Sequence, residues 1–77
     1  MKTNVSIKFN SIEEYREIEK KLEELGYVND KEWNESMFII KNINEGHIYI
    51  SKVDFSVFSN KITEGKTYNS LEEFLND

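Results

Sequence analysis

Between residues 4 and 25 the spacing of apolar side chains changes abruptly, from every second position to every third or fourth. Val5, Ile7 and Phe9 alternate with Asn4, Ser6, Lys8 and Asn10, the pattern of a strand with one buried face. Ile12, Tyr15, Ile18, Leu22 and Leu25 then recur at helical spacing and form one apolar stripe. Ser11 and Glu14 stand at the boundary with the spacing of a capping box, in which side chains satisfy the free amides of the first helical turn. Gly26 suits the left-handed position just past a helix, with Tyr27 placed to pack back on Leu22 in a Schellman closure. A strand that runs within two residues into a helix bounded at both ends predicts an α+β domain.

The remaining segments extend that frame. Val28 to Glu35 carries Asn29, Asp30 and Asn34 around a single tryptophan and reads as a connecting loop or an irregular start of a strand. Ser36 to Ile43 reads as a strand apolar on both faces, with Phe38 and Ile40 on one and Met37 and Ile39 on the other. Gly46 suits the left-handed position of a turn, after which Ile48 and Ile50 alternate with His47, Tyr49 and Val53. Residues 54–59 fit either a third strand or a helical turn. Lys61 to Tyr68 reads as a short polar hairpin at a sheet edge. Ser70 and Glu73 repeat the capping-box spacing ahead of Leu71, Phe74 and Leu75. A helix that short has no stability of its own and must dock on the sheet. The expected architecture is a long N-terminal helix on a mostly antiparallel sheet of three to five strands, closed by a short C-terminal helix.

Seventy-seven residues suffice for one small domain, spanning 1–77. At 9.2 kDa, the scaling of surface with mass gives about 4,900 Å² exposed when folded. Cysteine is absent, which excludes disulfides, thiolate metal sites and thiol chemistry. The longest apolar run, Met37 to Ile40, is far short of a membrane span. With no apolar leader at the start, cytoplasmic residence is the expectation.

Chemistry-bearing residues are sparse. One histidine, His47, rules out imidazole-based metal triads. The isolated glycines form no phosphate loop, and no hydroxyl has an activating base with a positioned orienting group. Adjacent glutamates such as Glu13 and Glu14 do not face each other on a helix. The residues point to no catalytic, cofactor or metal site, and the expectation is a protein that is not an enzyme and carries no cofactor.

Charge is more informative. Fifteen acidic and ten basic side chains give a net charge of −5, against the basic footprint a duplex-DNA binder needs. Residues 11–35 hold nine acidic and four basic side chains, and 70–77 hold three acidic ones, whereas 36–69 hold three acidic and four basic. Glu13, Glu17, Glu24, Asp30, Glu32 and Glu35, with Trp33 among them, are therefore the candidate partner-binding residues. Together they would steer a basic partner or imitate a phosphate track; the plain alternative is the solvated face of an acidic protein. Ten aromatic side chains mostly suit a core, but Trp33, Tyr49 and Tyr68 are those a small domain has least room to bury. Trp33 fits either a lid folded over the sheet or an exposed anchor for a partner.

The stretch from Ser11-Ile-Glu-Glu-Tyr to Leu25-Gly-Tyr27, the lone Trp33, the hairpin, and Tyr68-Asn-Ser-Leu-Glu-Glu-Phe-Leu75 resemble small acidic accessory proteins of phages and prophages of low-GC Gram-positive bacteria. The resemblance implies a role in blocking a host protein, in some cases a nucleic-acid-handling or defence protein met by DNA mimicry. It carries over no site residue. Two readings from other classes stand beside it: a nucleotide or small-ligand binder that stacks its ligand on exposed aromatics, and a structural homodimer.

Overall fold

The computed structural model describes residues 2–29, 45–51, 54–58 and 65–77. In chain order these form β1 (Val5–Phe9), α1 (Ile12–Glu24), β2 (Val28–Asn29), β3 (Gly46–Ile50), β4 (Asp54–Phe58), β5 (Thr67–Tyr68) and α2 (Leu71–Asn76). The five strands make one mixed sheet in the order β2-β4-β3-β1-β5. Its antiparallel pairings, β1 with β3 and β3 with β4, are five and four residues long; the parallel pairings of β1 with β5 and β2 with β4 are two residues each. The accessible surface, 4880 Å², matches the area expected from mass.

Register explains the core. Val5, Ile50 and Phe55 stand opposite one another across three strands, as do Ile7, Ile48 and Val57. Directly opposed residues share a face, so one face of the sheet is continuously apolar. Tyr15, Ile18 and Leu22 of α1 and Phe74 of α2 join these side chains in a single buried cluster. Residues 54–58, open to two readings in the sequence, are a strand; the Ser51 amide donates to the Asp54 carbonyl at 3.0 Å.

Helix α1 has the expected ends. Ser11, extended at φ −156°, accepts from the Glu14 amide at 3.1 Å. The Glu14 carboxylate in turn accepts from the Asn10 amide at 3.2 Å, one residue outside the expected box. At the far end the Gly26 amide donates to the Glu23 carbonyl and the Tyr27 amide to the Leu22 carbonyl, with Gly26 at φ 100°. These are the two bonds of a Schellman motif. Leu25 departs from the expected stripe: it is the C-cap and is 43% exposed. The chain reverses at Gly26 and brings Tyr27, 4% exposed, into the core instead.

Other expectations are corrected. Gly46 is not the left-handed residue of a turn; it belongs to β3 opposite Phe9, and among the described residues Gly26 is the one glycine at positive φ. Gly46 contributes no side chain beside Phe9, whose ring tilts onto Tyr15 at 5.7 Å. Ser6, expected on the solvent side of β1, is fully buried. It lies between Tyr49 of β3 and Thr67 of β5, and its small side chain is covered by being in the interior of the sheet. The edge strand β5 runs parallel to β1, a pairing that a local hairpin does not produce. The strand expected over 36–43, the Trp33 lid and the first half of the 61–68 hairpin lie outside the described residues. No helix among the described residues is long and apolar enough to cross a membrane.

Candidate functional site

An α-helix turns about 100° per residue, which puts Glu13, Glu17, Lys20 and Glu24 on the side of α1 opposite Tyr15, Ile18 and Leu22. The burial of the helix follows that geometry: Glu13, Glu17 and Glu24 are all exposed, and Tyr15, Ile18 and Leu22 are all buried. Three of the candidate residues thus share one outward ridge. It is not purely acidic, because Arg16 and Lys20 are exposed on the same side, and Glu24 sits 3.7 Å from Lys21. That ion pair is at the surface and contributes at most about 1 kcal/mol. Asp30, Glu32, Trp33 and Glu35 lie outside the described residues.

Glu17 also borders a cleft of about 310 Å³ between the starts of the two helices, with Glu14, Glu72, Asn10 and Asn69 on its walls. Carboxylates on several sides of a cleft suggest a hard cation. Among the described residues, however, no three carboxylate or imidazole groups converge closely enough to hold one.

Sequence reasoning missed two polar clusters. In the first, the Tyr15 hydroxyl donates to Glu19 Oε2 at 2.6 Å, and Asn29 Nδ2 donates to the same oxygen at 2.5 Å. Tyr15 contributes its ring to the core and its hydroxyl to a carboxylate that ties α1 to β2. Burial, then the hydrogen bond and charge of Glu19, push the Tyr15 phenol well above its ordinary pKa. The phenol is held protonated, as a donor. Tyr and Glu four residues apart on a helix signal the first bond; nothing local signals Asn29.

The second cluster joins β5 to the end of α2. Asp77 Oδ2 accepts from the Tyr68 hydroxyl at 2.5 Å and from Lys66 Nζ at 3.0 Å. These two donors, Tyr68 first, hold the Asp77 carboxyl below the usual carboxylate range. The Tyr68 ring meets Phe74 edge to face at 5.4 Å, and the Lys2 ammonium lies 4.8 Å over the Phe74 ring. Tyr68, one of the aromatics expected to be hardest to bury, is 3% exposed. Tyr49 is half-buried, its hydroxyl donating to Asn4 Oδ1 at 2.9 Å. Beside this cluster lies a groove of about 250 Å³ lined, among the described residues, by Lys2, Leu25, Tyr27, Phe74 and Leu75.

Compared with protein-family models, with curated proteins and with solved structures, the chain matches none of them.

Proposed function

We propose that this protein is a non-enzymatic binding module for a basic protein, with the outward ridge of α1 as its contact surface. The supporting observation is the common exposure of Glu13, Glu17 and Glu24 on one side of a helix whose other side is fixed in the core. A rigid helix presents these carboxylates in constant register, which favours a partner with complementary charges over diffuse attraction. The interspersed Arg16 and Lys20 favour a protein surface of mixed charge over a DNA-like phosphate track. The role fits the blocking of a host protein that the resemblance to phage accessory proteins implies. The nucleotide-stacking alternative is weakened by the burial of Phe9, Tyr15, Tyr27, Phe55, Tyr68 and Phe74.

The test is a pull-down from a low-GC Gram-positive lysate with the native chain and with the triple variant Glu13→Lys, Glu17→Lys, Glu24→Lys. These positions are exposed, so the variant retains its helical circular dichroism. A saturable protein partner, released by salt and absent with the triple variant, is the expected outcome. Equal capture by both proteins, or catalytic turnover without a partner, would reject the proposal.

A further inference from the structure

We draw no further inference here: the strongest candidate, the cleft of about 310 Å³ between the starts of the two helices with Glu14, Glu17 and Glu72 on its walls, is a cluster of exposed carboxylates for which nothing in the structure shows what it would hold.

Discussion

At the start of α1 the Ser11 hydroxyl accepts from the Glu14 amide at 3.1 Å, and at the start of α2 the Ser70 hydroxyl accepts from the Glu73 amide at the same distance. Both serines have nearly the same extended backbone. From these matching caps the helices diverge. Helix α1 runs thirteen residues, buries Tyr15, Ile18 and Leu22, and closes in a Schellman motif. Helix α2 runs six residues, buries Phe74 alone, and finishes at Asp77, whose side chain reaches Lys66 and Tyr68. A cap decides where a helix begins, but not what holds it. For α1 the hold is a periodic face. For α2 it is one aromatic ring and a carboxylate bonded to the edge strand.

The strongest way to break this comparison is to remove the anchors. Phe74→Ala should cost about 3–5 kcal/mol, and hydrogen exchange should show residues 71–76 losing protection before α1 does. Leu22→Ala should cost about 2–4 kcal/mol and lower the denaturant midpoint of the whole domain, because Leu22 is fully buried in the shared core. If the two variants gave the same protection pattern, the helices would not be anchored differently.

A smaller effect isolates the end of α1. Gly26 stands at φ 100°, so Gly26→Ala should lose about 1–2 kcal/mol to left-handed strain, read from a urea melt. No loss would mean that the chain leaves the helix by another route. Smaller still are the caps: Ser11→Ala and Ser70→Ala should each cost about 1 kcal/mol. The first should lower global stability, whereas the second should appear as fraying of α2 in amide exchange.

The weakest effect is one of pH. The folded Asp77 carboxyl is held below its ordinary range, so its contribution is complete above the unfolded value of about 3.9. It is lost as pH falls through the folded value. Residues 71–76 should keep their protection down to about pH 4 and lose it below, and Asp77→Asn should remove that acid transition. An unchanged acid transition in the variant would assign it to another carboxylate.

Much of the fold was legible because its signals are local. The alternation in β1, the stripe of α1, both serine caps and the Gly26 closure each depend on residues within a few positions of one another. Of the candidate ridge, Glu13, Glu17 and Glu24 were legible for the same reason, since helical spacing alone puts them on one side. The misreadings have the opposite character. Ser6 looked solvent-facing because burial behind Tyr49 and Thr67 depends on two strands distant in sequence. Leu25 looked buried because its spacing continued the stripe past the point where the helix stops.

By itself, then, the amino-acid order determined where α1 begins and ends, which of its faces is apolar, and that α2 must start at Ser70. Tertiary structure alone decided the parallel pairing of β5 with β1, the Tyr15–Glu19–Asn29 tie, the burial of Tyr68, and the meeting of Lys2, Leu25 and Leu75 in one groove. Periodicity and capping are short-range steric and hydrogen-bonding effects, repeated at every turn and so written in the spacing. A groove lined by residues 2, 25 and 75 follows only once the sheet order has closed the chain on itself.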